Sequence, residues 1–153
     1  MEYIVIKGQK PLVGKVKIGG AKNAAVAIVP AAVAANGVCT IENLPDIKDV
    51  RNLAASLEKL GAKCRFLDND KTLEVDASCV TTHIADYELA SKMRASYYLL
   101  GALLGRFSKA EVPMPGGCDF GYRPIDYHIK GFEALGATCV MEHGWVKSQP
   151  KNL

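Results

Sequence analysis

No apolar run in this chain is long enough to cross a bilayer. The two longest, Ala24 to Ala35 and Tyr97 to Leu104, fall short of the ~20 residues a membrane helix needs. Met1 to Lys10 carries charges throughout and has no apolar h-region, so no secretory signal is read there. Basic residues never form a run of five, and the net charge of +3 is small. Charge therefore suggests neither a nucleic acid nor a membrane surface as partner. The five cysteines, Cys39, Cys64, Cys79, Cys118 and Cys139, are odd in number and contain no C-x-x-C pair. That argues against a disulfide framework and a structural zinc site, and favours a reducing cytoplasm. The three histidines, His83, His128 and His143, lack metal-ligand spacing, so no metal is expected. We read His128 as a helix-surface residue and His143 as a turn residue. The G-x-x-x-x-G-K-[ST] spacing of a nucleotide P-loop is missing as well. What remains is an ordinary globular composition over 153 residues, enough for one domain with a real core.

The most informative stretch is PMPGGCDFGYRPID, Pro113 to Asp126. Gly116 and Gly117 carry no side chains, so the backbone there can turn sharply and approach a ligand closely. Cys118 follows directly. Pro124 suits the first turn of a helix and pushes Arg123 towards extended geometry, which sets the guanidinium at the mouth of that helix. An anion at this point would meet Arg123 and free backbone N–H groups together. Two readings stand side by side: a loop presenting a reactive thiol beside an anion site, and a glycine turn with an incidental buried cysteine.

In chain order, Tyr3 to Lys7 and Val13 to Ile18 alternate apolar with polar residues around a Gly/Pro turn and predict two strands. Gly19 and Gly20, followed by Lys22 and Asn23, lead into an Ala/Val/Ile-rich helix to about Ala35 that Pro30 should bend or break. The Gly-Gly joint is either an anion cradle with Lys22 adding charge, or a tight strand-to-helix turn. Val38 to Ile41 predicts a strand. A helix capped by Asp46 follows, with Val50, Leu53, Leu57 and Leu60 on its inner stripe and Gly61 at its end. Lys63 to Leu67 and Thr72 to Val75 predict a hairpin around Asp68, Asn69 and Asp70.

The unit recurs. LEKLGAKCRF at 57–66 matches FEALGATCVM at 132–141 in five of ten positions, and the surrounding elements align in the same order. The second set comprises a helix from Lys92 to Leu104 and a strand from Glu111 to Met114. A helix from Pro124 to Leu135 then buries Ile125, Ile129, Phe132 and Leu135, and a hairpin crosses Glu142, His143 and Gly144. Repeats of this kind bury their apolar faces on one another, and two seldom close a core. The stop soon after the second hairpin leads us to expect an incomplete chain. The expected division is a strand pair at 1–20, two βαβαββ units at about 21–76 and 92–147 with a linker at 77–91, and a tail at 148–153. The fold class is α/β.

Three motifs carry a resemblance. GGAKNA at Gly19 to Ala24, KMRAS at Lys92 to Ser96, and PGGCDFGYRPIDYHI at Pro115 to Ile129 resemble the enolpyruvyl transferase family, in its UDP-N-acetylglucosamine 1-carboxyvinyltransferase branch. The similarity runs from about Ile4 to Lys147. It implies an inside-out α/β barrel with two domains of three repeats each, of which this chain holds two repeats of one domain and a strand pair of the other. It also implies transfer of the enolpyruvyl group of phosphoenolpyruvate to the 3-hydroxyl of UDP-N-acetylglucosamine by addition and elimination, the first committed step of peptidoglycan synthesis, with no cofactor.

The roles implied are specific. Cys118 is the proton donor and can form a covalent adduct with phosphoenolpyruvate, which also implies inactivation of an intact enzyme by the epoxide fosfomycin. Lys22 and Arg123 hold phosphoenolpyruvate, with Asn23 beside Lys22. Arg94 and the run Arg123, Pro124, Ile125, Asp126 and Tyr127 contact the UDP-sugar. The side chains suit these roles, arginine offering a planar fork and lysine a compact charge to phosphate or carboxylate. Tyr98 stands where many relatives carry tryptophan. The catalytic base and the remaining substrate contacts are expected beyond Leu153, in the carboxy-terminal region of the same enzyme, so the 153 residues alone are expected to be inactive. The alternative from another class is a non-catalytic or partner-dependent module that binds an anionic sugar nucleotide. An RNA-terminal cyclase-like enzyme shares the repeat idea, but no nucleotidyl-accepting histidine motif is present.

Overall fold

A computed structural model describes residues 3–114, 116 and 124–151. Its elements fall into two sets of the same order. The first comprises α1 (Lys22–Ala31), β1 (Val38–Ile41), α2 (Lys48–Lys59), β2 (Lys63–Leu67) and β3 (Thr72–Asp76). A short helix, α3 (Tyr87–Ala90), intervenes. The second set is α4 (Tyr98–Phe107), β4 (Ala110–Pro113), α5 (Asp126–Ala134), β5 (Ala137–Glu142) and β6 (Trp145–Pro150).

Each set builds one three-stranded antiparallel sheet whose last strand lies in the middle: β1-β3-β2 in the first, β4-β6-β5 in the second. The two matched segments occupy equivalent places. Cys64 of β2 pairs with Val75 of β3, and Cys139 of β5 pairs with Ser148 of β6. The repeat is therefore structural.

Why these residues make these elements is local chemistry. In α2, Val50, Leu53, Leu57 and Leu60 are all buried, as their 3-4-3 spacing requires, and Gly61 follows at φ +104° to end the helix. The β2–β3 turn places Asp68, Asn69 and Asp70 all at positive φ, which Asn and Asp tolerate better than other side chains. His143 and Gly144, both at positive φ, form the two-residue turn that matches the twist of the β5–β6 pair.

The core lies among the helices. α1 packs on both α2 and α4, and α4 in turn lies on β4 and β6. Val29, Val33, Leu53, Leu57, Leu99 and Leu103 are completely buried in one continuous cluster. Arg106, in the last turn of α4, ties the two sets together. It donates to the Val33 carbonyl at 2.9 Å, and to Asn36 Oδ1 and the Val80 carbonyl at 3.2 Å each.

Several expectations are corrected. Residues 3–20 form no strand, and Tyr3, Ile4, Ile6 and Val13 stand fully in solvent. Alternation marks a strand only where a partner edge and a covering layer exist, and among the described residues neither reaches this segment. Asp46 does not cap α2. The N-cap is Ile47 with no side-chain bond, while Asp46 accepts from Arg51 at 2.8 Å. The helix expected from Lys92 begins only at Tyr98, after a 3₁₀ turn over Arg94–Tyr97. Ser96 turns back to donate to the Met93 carbonyl at 2.8 Å and anchors that turn. Leu135 is 87 % exposed although it follows the inward stripe, because α5 ends at Ala134. The expected tail at 148–153 is in part a strand, since β6 pairs through Pro150 with Ala137. Pro30 leaves α1 intact to Ala31, beyond which the helix tightens to 3₁₀ over Ala32–Ala34.

Candidate functional site

The two repeats meet at a cleft of about 490 Å³. Its charged and polar walls come from Lys22 and Asn23 of α1, Asp49 of α2, Lys92 and Arg94 before α4, and Tyr97. Three of these residues, Lys22, Asn23 and Arg94, are expected site residues, and the fold brings them together across 71 to 72 positions of sequence by placing α1 beside the segment that leads into α4.

Lys22 is the first residue of α1, and no side chain caps that end. A cation there faces the positive pole of the helix, the end that favours anions. Nothing in helix formation asks for lysine at this position. Its Nζ lies 2.6 Å from Asp49 Oδ2, which offsets the unfavourable placement. Gly20, two residues before, is dictated by space. A Cβ there would land on the carbonyl oxygen of Asn43, so the chain passes this point against bare backbone. This close approach to Asn43 is a packing role for Gly20 that stands beside either reading of the Gly-Gly joint. Gly20→Ala is expected to cost about 1–3 kcal/mol, the usual range for forced overpacking, read as a lower urea midpoint at unchanged slope. An unchanged midpoint would show that the Asn43 backbone yields freely.

Arg94 opens the 3₁₀ turn with Met93 buried beneath it. Its Nε is buried and makes no hydrogen bond among the described residues. A buried donor of a charged group left unpaired is costly, and sites that tolerate one commonly await an acceptor. Tyr97 stacks on Tyr98 with ring centroids 4.4 Å apart, and the His128 ring lies 4.6 Å from Tyr97. Burial, together with the neighbouring Tyr98 hydroxyl, pushes the Tyr97 phenol up to about 12. It remains a neutral hydrogen-bond donor at any ordinary pH.

Cys118 and Arg123 fall outside the described residues. Gly116 is described, and it is tightly placed: a Cβ on it would meet the carbonyl oxygen of Ser91, immediately before Lys92. The segment leaving β4 therefore passes against the Ser91 backbone at Gly116, one residue before the cleft-lining Lys92. On the far side of the gap, Ile125 is 3 % exposed and belongs to the core, and its carbonyl accepts from the His128 and Ile129 N–H groups. Pro124, Asp126 and Tyr127 are exposed, and Lys130 Nζ lies 5.8 Å from the centre of the Tyr127 ring. None of these four lines the cleft. His128 is exposed on α5, as expected of a helix-surface residue, and its ring also packs on the cleft-lining Tyr97. Sequence reading passed over Asp49 and Tyr97. An aspartate in the first turn of a helix, and an aromatic next to an apolar run, have ordinary structural explanations, and only their neighbours across the fold distinguish them.

Among the described residues no group of three or more His, Cys, Asp or Glu side chains could hold a metal ion, and no helix is long and apolar enough to cross a membrane.

Comparison with known proteins agrees with this geometry. The family model for EPSP synthase (3-phosphoshikimate 1-carboxyvinyltransferase) matches residues 6–151. UDP-N-acetylglucosamine 1-carboxyvinyltransferase 2 of Clostridium acetobutylicum is 55 % identical over 154 aligned residues, covering 100 % of this chain and 36 % of its own length. The UDP-N-acetylglucosamine 1-carboxyvinyltransferase of Clostridium botulinum is 56 % identical over 147 residues, 95 % of this chain and 35 % of its own. The chain thus spans about a third of the length of the curated relatives it matches. Among solved structures, the enolpyruvyl transferase NikO from Streptomyces tendae superposes with a TM-score of 0.75 at 28 % identity, over 93 % of this chain and 31 % of that one. Two like-ordered α/β repeats, a cationic cleft between them, and a family match over nearly every residue lead to one conclusion: the chain belongs to the EPSP synthase (3-phosphoshikimate 1-carboxyvinyltransferase) family.

Proposed function

We propose that this chain supplies one wall of the active site of a UDP-N-acetylglucosamine 1-carboxyvinyltransferase, which moves the enolpyruvyl group of phosphoenolpyruvate to the sugar 3-hydroxyl with release of phosphate. The observation that carries the reading is the convergence of Lys22, Asn23 and Arg94, from two different repeats, on one cleft.

The chemistry asks for cations to hold a phosphate and a carboxylate, a proton for the methylene carbon, and a base for the hydroxyl. Lys22, with Asn23 beside it, supplies a compact charge at the N-terminal end of α1, where free backbone N–H groups add to it. Arg94 supplies a fork whose buried Nε has no acceptor among the described residues, suited to the sugar nucleotide. Cys118 is the proton donor and the site of covalent attachment to phosphoenolpyruvate. Arg123 joins Lys22 on phosphoenolpyruvate, and the 123–127 run meets the UDP-sugar. In this reading the base and the opposite wall come from the remainder of the enzyme, and residues 3–20, with their exposed apolar side chains, pair with that part.

The test is phosphate release from phosphoenolpyruvate and UDP-N-acetylglucosamine. It is measured for the 153-residue chain alone, and again with the complementary carboxy-terminal polypeptide of the Clostridium acetobutylicum relative. Activity only in the mixture is expected, and its loss with Lys22→Ala. Binding of the sugar nucleotide without turnover in either case would favour a binding module instead.

Thiol reactivity offers a second check. Burial, then the nearby Glu58 carboxylate, pushes the Cys64 thiol up to about 12. A thiol with a raised folded pKa favours the folded state only below its unfolded pKa, so this group costs stability as pH rises from ~9 towards 12. Cys64 is thus expected to stay unalkylated by iodoacetamide up to pH 9. Cys118, near Lys22 and Arg123 in the proposed site, reacts first because cations favour the thiolate. Mass spectrometry showing Cys64, or the exposed Cys79, labelled ahead of Cys118 would count against the assignment.

A further inference from the structure

Asp49 has no part in the roles above, yet it is the acidic member of the cleft wall. It sits in the first turn of α2, and its Oδ2 is 2.6 Å from Lys22 Nζ, with 36 % of the Asp49 side chain and 61 % of the Lys22 side chain exposed. Lys92 and Arg94 line the same cleft, so a carboxylate lies among three cations. The α2 N-terminus already favours a carboxylate there, so Asp49 does not need Lys22 for its own stability. An exposed ion pair also contributes little to folding. What the contact does is geometric. The lysine stem is long and freely rotating, and one short charge-assisted bond from a carboxylate on a rigid helix leaves the other two ammonium protons pointing in set directions.

We infer that Asp49 is a positioning residue, holding the Lys22 ammonium in the cleft in the orientation in which it meets an oxygen of a phosphorylated carboxylic acid. The inference rests on the reading of this cleft as an anion site. Its sign is distinctive. By charge alone, removing a carboxylate from an anion site should tighten binding. Positioning requires the opposite, because an untethered lysine must be ordered at each binding event.

The experiment uses the isotope-labelled chain combined with the complementary carboxy-terminal polypeptide, and phosphoenolpyruvate as probe, with NMR as the readout. One measurement needs no ligand: the ¹⁵N-ammonium signal of Lys22, which is narrow when the group is held and lost to exchange when it is free. The other is phosphoenolpyruvate affinity from backbone amide shifts, with the unperturbed shifts of the two sheets confirming the fold of each variant. For Asp49→Ala the ammonium signal disappears and affinity falls about tenfold, the scale of one charge-assisted contact. Asp49→Glu restores at least part of both, and Asp49→Ala adds nothing in a Lys22→Ala background. Affinity that is unchanged or tighter in Asp49→Ala overturns the inference. Should the ammonium signal depend on Asp49 while phosphoenolpyruvate fails to bind the unmodified complex, the tether is real, the anion-site reading fails, and the positioning role falls with it.

Discussion

Replacing Cys118 by serine lowers kcat by about 10²- to 10⁴-fold in the enzyme reconstituted with its complementary part, while KM for the UDP-sugar changes by less than about threefold. The magnitude is that of removing a positioned general acid. The direction follows from the chemistry. A serine hydroxyl is similar in shape but far less acidic than a thiol, so it can occupy the position without delivering a proton to the methylene carbon. In the proposed mechanism the same substitution removes the nucleophile, so a covalent adduct with phosphoenolpyruvate, read as a mass increase on the intact protein, is expected to disappear too. Steady-state kinetics and intact mass together decide the matter. Retention of more than a tenth of kcat would take the proton-donor role away from this sulfur, and a surviving adduct would place the nucleophile elsewhere. Lys22→Ala should behave differently, raising KM for phosphoenolpyruvate as well as lowering kcat, because its proposed role is to hold the substrate in the ground state too.

The largest stability effect is expected at Leu103. It is completely buried in α4, the helix that packs against α1 on one side and β4 and β6 on the other. Truncation to alanine leaves a cavity where the two repeats join, and rigid walls on both sides limit collapse. The expected loss is about 3–5 kcal/mol, a large part of the total stability of a domain this size. Chemical denaturation followed by circular dichroism measures it. Because α4 also positions Arg94 and Tyr97 through the turn that precedes it, the variant should lose affinity for the sugar nucleotide even under conditions where it remains folded. A loss below about 1 kcal/mol would mean that the interface between the repeats repacks readily.

Much of the architecture was legible from residue order. The α2 stripe, both hairpins and the glycine stops at Gly61 and Gly136 follow from short-range rules, and each was met where periodicity and turn chemistry put it. The repeat was visible because LEKLGAKCRF and FEALGATCVM solve one packing problem twice. Errors arose where a long-range partner decides the outcome. Asp46 has the chemistry of a cap, but Arg51 offers it a charged donor and it takes that instead. Residues 3–18 have the pattern of strands, but a strand exists only against another edge. Lys92 to Tyr97 have adequate helix propensity, yet Met93 is drawn into the core and the chain tightens into a 3₁₀ turn before α4 can start.

The same division holds for the site. Lys22, Asn23, Arg94, Cys118 and the 123–127 run stand in family motifs that single them out one segment at a time. The sequence by itself determined the repeat, the class of its elements and the residue types available for gripping an anion. Only the tertiary structure decided that the first turn of α1 and the turn before α4 share one cleft, that Ile125 turns inward, and that Asp49 rather than solvent meets the Lys22 ammonium. The reason is distance along the chain: periodicity and capping act within a few residues, whereas these contacts join positions tens of residues apart, and no local rule reaches that far.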